Sequence, residues 1–397
     1  MNYKVLVKIS LLSYLILAAT FQAYSQQITE SSQIDVTIQT NDSTKTMKSQ
    51  KVSYWKRLLH GNVDRTHERR FDVSFAAAPS YTREASFGIG GMASGLYRVD
   101  RKDSIMPPSD ITLVFNASVQ GFYALEARGN NYFKNNRSLL SYEVGFTTKP
   151  LDFWGISHDA TSINPVIDYT RQQVKIDANY QYKLLSNFSV GGTLDFSYTK
   201  ATKIDNISYL ESQKKSYVAT GLGISVQYDS RDFIPNPKQG IYLMLRQSIF
   251  PEQLNDCERT LYRTTLVADL YQRIWQGGVL AVDLFSQINS NNAPWPLREE
   301  LGGNQRMRGY YAGRYIDNNI ASAQIELRQH LIQRFGCTVW MGGGTVFPTL
   351  EEFRVKNILP SYGIGLRWEF KHNVNARIDY GFGKQTGGFV FNIAEAF

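Results

Sequence analysis

Cysteine is almost missing from this 397-residue sequence: Cys257 and Cys337 are the pair. Two thiols cannot staple a secreted fold. They are expected at opposite ends of the structure, so no disulfide is predicted. Beyond the N-terminus no apolar run of about 20 residues occurs, which excludes a helical membrane protein. The five histidines, His60, His67, His158, His330 and His372, are scattered and have no metal-ligand spacing. There is no P-loop or dinucleotide motif, so neither metal nor cofactor is expected. Ser157-His158-Asp159 is local adjacency, which does not make a catalytic triad. No enzyme is expected. No basic run with interleaved aromatics tracks a phosphate backbone, and a net charge of +8 is modest. Nucleic acid is therefore not an expected partner.

Aromatic residues are plentiful: 24 Tyr, 22 Phe and 6 Trp in a chain that is only 43% hydrophobic. That content argues against disorder. Moderate hydrophobicity with many Tyr and Gly suits a membrane barrel whose strands are apolar on one face only.

The N-terminus reads as an address. Lys4 and Lys8 precede an apolar stretch, Ile9 to Phe21, and Ala23-Tyr24-Ser25 offers small residues for cleavage. Residues 1–25 are expected to be a signal peptide. Residues 26–70 are polar, show no strong period, and at about 45 residues are too few for a substantial domain. They are predicted to form a short periplasmic leader or plug segment.

From Phe71 the period is two. Leu222, Ile224, Val226 and Tyr228 alternate with Gly221, Gly223, Ser225 and Gln227. Ile364, Leu366 and Trp368 alternate with Gly365, Arg367 and Glu369, and Ile378, Tyr380 and Phe382 alternate with Asp379, Gly381 and Gly383. Such alternation marks strands with one apolar face. Lengths near ten residues suit a tilted bilayer crossing. Sixteen strands are predicted, over 71–81, 85–99, 110–118, 121–129, 138–149, 169–184, 188–201, 216–229, 240–250, 261–275, 278–290, 319–332, 335–347, 360–371, 374–384 and 387–397. Short turns alternate with longer loops, as in outer-membrane barrels. The fold class is thus an all-β transmembrane antiparallel barrel of sixteen strands over residues 71–397. An even count places both termini in the periplasm. The final stretch presents Phe389, Phe391, Ile393 and Phe397 as a C-terminal signal for the barrel-insertion machinery.

Residues 301–318 contain Gly302-Gly303 followed by Met307-Arg308-Gly309-Tyr310. This resembles the signature loop of the BamA/TamA superfamily of outer-membrane assembly and translocation barrels. Asp229-Ser230-Arg231-Asp232 with Asn236-Pro237-Lys238-Gln239-Gly240 is similar to a turn common in that family. Trp340 to Phe347 is similar to its strand after the loop. The resemblance implies a loop folded into the lumen after strand eleven, and eleven predicted strands precede it here. It also implies carboxylate partners for the arginine on the two following strands. Glu326 stands at the first place. Gly342 stands at the second, where Asp is usual, so Glu369 and Asp379 are the alternatives. Glu395 departs from an apolar position, and with a short first strand it is expected to pair poorly at the seam. Tandem periplasmic domains precede such barrels in the assembly members; residues 26–70 cannot hold one.

Arg308 carries a permanent charge and five donors. In a confined lumen it calls for a bidentate acidic partner. Gly309 supplies freedom for a sharp tip. Arg306 and Arg314 are read as solvated or bound to acidic lipid. The expected function is a loop-gated barrel passing or inserting polypeptide or lipid. A porin-like channel or a structural subunit of an envelope complex is the alternative, and an outer-membrane hydrolase the third. Expected partners are outer-membrane lipid including lipopolysaccharide, the insertion machinery, and an unidentified client.

Overall fold

The computed structural model describes residues 70–397 apart from 83–85, 101–105, 159–166, 205–209, 211–212, 235, 257–258, 291–292, 372–373 and 394. The expected signal peptide and residues 26–69 lie outside the described residues, as do Cys257, His60, His67, His372 and Asp159.

The strands in chain order are β1 Asp72–Thr82, β2 Ser86–Tyr97, β3 Ser109–Ser118, β4 Tyr123–Tyr132, β5 Ser138–Phe153 and β6 Ile167–Lys183. Next come β7 Phe188–Thr202, β8 Ser216–Asp229, β9 Gly240–Phe250, β10 Leu261–Trp275 and β11 Gly278–Asn289. Two three-residue strands follow, β12 Glu299–Leu301 and β13 Tyr315–Asp317. The set ends with β14 Asn319–Ile332, β15 Phe335–Phe347, β16 Leu359–Lys371, β17 Val374–Gly383 and β18 Thr386–Ile393. Sixteen of these form one antiparallel sheet, in which each strand pairs with its neighbour in sequence. Strands β12 and β13 form a separate two-stranded sheet, so β11 is bonded directly to β14. Eleven strands thus precede the inserted segment. Strand β1 lies alongside β18, and among the described residues the two share no paired register.

The sheet is inverted relative to a water-soluble protein. Leu222, Ile224 and Val226 point outward on β8, and Tyr362, Ile364 and Leu366 on β16. Phe115, Leu125, Phe146, Leu245, Leu266 and Leu284 extend the belt. Intervening positions point inward and are polar: Ser225, Gln227, Asp269, Asp283, Gln324, Arg367 and Asp379 are all buried. Side chains alternate because successive Cβ atoms of a strand face opposite ways. An exposed apolar belt around a polar interior is the solution for lipid outside and water or charge inside.

Several elements differ from expectation in extent. Strands β5 and β6 run on to Phe153 and start back at Ile167 because their ends enter a second core. Leu151, Phe153, Trp154, Tyr169, Tyr217, Trp295, Tyr311 and Ile316 pack together there, drawing several long loops into one apolar cluster. Trp154 stands edge-on to Tyr311 at 5.1 Å, and Tyr169 to Trp295 at 6.3 Å. The last strand stops at Ile393 instead of reaching Phe397. The short partner at the junction is therefore β18, with 8 residues, against 11 in β1.

The turn at 230–239 is built by side chains. Arg231 clasps Asp229 through Nε and Nη2 at 2.9 and 2.7 Å. Asp232 Oδ1 accepts the backbone N–H of Phe233 and of Lys238, at 3.0 and 2.9 Å. Asp supplies this kind of local acceptor readily, which is why it recurs in turns.

Candidate functional site

The segment between β11 and β14 enters the lumen. Its stem is the β12–β13 pair, and its tip carries Asn304 to Tyr310. The tip is held by backbone contact first. Gly309 has φ +99°, a conformation that disfavours any side chain. A Cβ on Gly309 would lie 2.6 Å from the carbonyl carbon of Gly381 on β17, and one on Gly381 would lie 2.6 Å from Arg308. Two glycines therefore let the tip rest on the barrel wall. Ser361 Oγ donates to the Arg308 carbonyl at 2.8 Å, and Thr386 Oγ1 to that of Gly309 at 3.0 Å. The Tyr310 hydroxyl donates to the Pro360 carbonyl and accepts the Lys384 N–H, both at 2.7 Å. The tip is thus tied to β16, to the β17–β18 turn and to β18.

Arg308 is fully buried. Its Nη2 lies 2.6 Å from Glu326 Oε2 on β14, and its Nη1 2.8 Å from Asp379 Oδ2 on β17. One guanidinium thus bridges two strands on different sides of β15 and β16. Its plane lies 3.7 Å from the centre of the Trp340 ring on β15, a cation–π contact. Of the two alternatives for the second carboxylate, Asp379 is the one in contact. Glu369 sits near a two-residue turn, where its N–H bonds the Arg334 carbonyl at 2.8 Å. Gly342 pairs across the ladder with Gln324, and a Cβ there would meet Gln324 Cβ at 2.7 Å. The space of an acidic side chain at 342 is taken by Gln324.

The site is larger than the loop motif. Glu326 Oε1 accepts Arg328 Nε at 2.8 Å. Asp379 Oδ1 accepts Arg367 Nη1, and its Oδ2 accepts Arg377 Nη1, both at 2.6 Å. Arg367 Nε reaches Glu395 Oε2 at 2.8 Å. Four buried arginines, 308, 328, 367 and 377, face three buried carboxylates, 326, 379 and 395. Further donors are met by main-chain oxygens: the Asn304 carbonyl accepts from Arg377, the Leu366 carbonyl from Arg367, and a terminal oxygen of Phe397 from Arg328. Buried ion pairs hold only when their remaining donors find such partners. Sequence alternation had put Arg367 inward. The same alternation put Arg377 on the inward face beside Asp379; it did not show that Arg328 and Glu395 would meet them there.

Arg306 and Arg314 are both engaged by protein groups, Arg306 partly exposed and Arg314 buried. Arg306 clasps Asp283 through Nε and Nη2 at 2.9 and 2.6 Å and covers the Phe285 ring at 4.2 Å. Arg314 is buried between Trp154 and Tyr315. Gly302 and Gly303 have φ of +112° and +123°, at the bend leaving β12. Gly344, from the glycine run on β15, packs against Met307: a Cβ would lie 2.9 Å from its sulfur.

The loop stem is anchored separately. Arg171 on β6 grips Glu300, and Gln287 donates to Glu299. Burial by itself would raise Glu300, but the Arg171 guanidinium outweighs it and holds the carboxyl below its ordinary value. Burial raises Glu299. Beside this stem lies a polar cavity of about 290 Å³ lined by Arg171, Lys175, Asp195, Arg263, Glu299 and Glu300.

Ser157 bridges to Ile316, while His158 stacks on Tyr315 at 5.7 Å with Nδ1 3.4 Å from Thr345 Oγ1. Among the terminal residues, Phe389 faces outward and stands against Tyr380 at 4.6 Å. Phe391 pairs with the outward Ile378. The Ile393 side chain lies outside the described residues. Phe397 leaves the lipid-facing row altogether and turns into the lumen, where its ring lies 6.2 Å from that of Tyr271. The carboxylate of Glu395 draws the chain inward, away from the strand path.

Residues 125–397 match the Omp85 superfamily domain. No curated protein matches the chain. Solved structures of similar fold include BamA from Haemophilus ducreyi lacking POTRA domains 1–3, with TM-score 0.53 and 12% identity over 82% of this chain and 70% of that one. Another is CdiB from Acinetobacter baumannii, with TM-score 0.52 and 11% identity over 83% of this chain and 66% of that one. At such identities the likeness is one of fold.

Proposed function

Because the chain belongs to the Omp85 superfamily, whose barrels lie in the outer membrane, we propose that it is a gated pore that passes or inserts polypeptide. The segment from 293 to 318 is its gate, and Arg308 is the bolt. The observation that carries this reading is the burial of Arg308 between Glu326 and Asp379, on the inner face of the barrel wall. A structural loop on a rim has no need of a fully desolvated, permanently charged tip, which is costly to bury. A tip held by ion pairs can be released as a unit when a competing group takes the carboxylates. The junction of β1 with the shorter β18 is where lateral release into lipid takes place. Outer-leaflet lipid, lipopolysaccharide included, surrounds the apolar belt. The aromatic row at Phe389 and Phe391 addresses the chain to the insertion machinery. Both termini face the periplasm.

Planar-bilayer conductance tests the gate. The wild-type barrel should stay mostly closed, and Arg308→Ala should open long, large currents. A large ion-selective current already present in the wild type and unchanged by Arg308→Ala would make the protein a passive channel. Hydrolysis of lipid or peptide by the pure protein would place it among outer-membrane enzymes.

A further inference from the structure

We infer that the lumen holds a peptide-binding seat for an acidic–small–aromatic sequence, filled here by the chain's own Glu395-Ala396-Phe397. Each of the three residues is received separately. The Glu395 carboxylate takes Arg367 Nε at 2.8 Å and Asn375 Nδ2 at 2.6 Å. Ala396 is 2% exposed, so only a small side chain fits. The Phe397 ring lies against Tyr271, and the Arg328 guanidinium sits 5.2 Å from its centre and 5.6 Å from that of Tyr271. Arg328 also donates from Nη2 to a terminal main-chain oxygen of Phe397 at 3.0 Å.

The seat is made by the barrel. Tyr271 is 1% exposed on β10 and is fixed by its hydroxyl bond to Asp269 at 3.2 Å. Arg328 is fixed by Glu326. Arg328 Nη1 is buried and meets no hydrogen-bond partner among the described residues, so one donor is left for a further acceptor on a bound peptide. The occupant is held by side-chain and terminal-oxygen contacts and by no ladder, since the strand has ended at Ile393. A segment held in this way exchanges without unzipping the sheet. Any peptide carrying a carboxylate two residues before an aromatic ring offers the same groups. It must displace the tail to bind, and the tail therefore acts as a built-in competitor. Displacement also reaches the gate, because Glu326 carries Arg328 on one oxygen and Arg308 on the other.

The ligand class is read from the tail itself, so the seat and the pore fail separately: conductance tests one and peptide binding the other. The probe is a fluorescein-labelled hexapeptide, Asn-Ile-Ala-Glu-Ala-Phe, titrated against the full-length barrel in nanodiscs by anisotropy. Phe397→Ala should bind it at least about tenfold more tightly than the wild type, a difference of about 1.4 kcal/mol. Replacing the peptide's Glu or Phe by Ala, or adding Tyr271→Leu to the barrel, should abolish that gain. Equal affinity for both barrels, indifference to the peptide's Phe, or no binding to Phe397→Ala would overturn the seat. A second measurement needs no change in the tail. With p-benzoylphenylalanine in place of Tyr271, irradiation should cross-link to the 395–397 segment, and excess hexapeptide should suppress that cross-link. A cross-link unaffected by the peptide would count against the seat as firmly.

Discussion

Arg308 Nη2 and Glu326 Oε2 stand 2.6 Å apart, and neither side chain has any solvent contact. A pair so placed is asymmetric in its energetics. Removing both charges together can cost little, whereas removing one leaves the other buried and unmatched, at about 3–5 kcal/mol. Arg308→Ala should therefore lower the temperature at which the folded barrel loses its anomalous gel migration. Replacing Glu326 and Asp379 by Gln and Asn in the same chain should deepen that loss, because Arg328, Arg367 and Arg377 would then share Glu395 alone. A variant set with unchanged heat-modifiability would remove the clamp from the account.

Glu326→Lys should be worse than Glu326→Gln. The lysine would face Arg308, Arg328 and Arg367 in place of the carboxylate they share. Like charges in a low-dielectric interior repel strongly. The expected result is a barrel that refolds poorly with Lys and detectably with Gln, read as the fraction of heat-modifiable protein after refolding into detergent.

Gly381→Ala addresses the loop without touching a charge. Its Cβ would sit 2.6 Å from the Arg308 backbone, so the tip must move off the wall. Overpacking of this kind costs about 1–3 kcal/mol. Hydrogen exchange over 302–312 should rise in the variant while the strands stay protected. Equal protection in variant and parent would show that the tip does not rest on β17.

Acid should act on the loop stem. The folded Glu300 carboxyl is lowered, so its contact with Arg171 stabilises above the ordinary carboxylate pKa of about 4.3 and is lost as pH falls through the folded value. Glu299 is raised by burial and works in the opposite sense, favouring the fold as it becomes protonated. In a Glu299→Gln background, exchange at 297–301, corrected for its intrinsic pH dependence, should increase between about pH 5 and pH 3. Adding Glu300→Gln should flatten that response; a persisting slope would assign the pH effect to other groups.

The strand count, the inward loop after the eleventh strand, and the inward face of Glu326 and Asp379 were all legible in the sequence. A period of two is a local property: it needs only neighbouring residues and two different solvents on the two faces. The inward loop was legible through the resemblance of Met307-Arg308-Gly309-Tyr310 to the family's signature loop, and the charge of Arg308 then called for an acidic partner. The extent of β5 and β6 was not, because Phe153 and Tyr169 look like ordinary strand ends until Trp154, Trp295 and Tyr311 are brought to them.

The sequence by itself determined that one face of each strand meets lipid and the other does not. It also determined that a charged loop tip must find acid inside. Only the tertiary structure decided which acid. Asp379 lies 71 positions from Arg308, and no alternation could rank it against Glu369. The same holds for Glu395 and Phe397, which a strand pattern assigns to the seam and to lipid. Folding turns both inward, because a buried carboxylate follows its arginine partners, and Arg367 and Arg328 stand on the inner faces of β16 and β14.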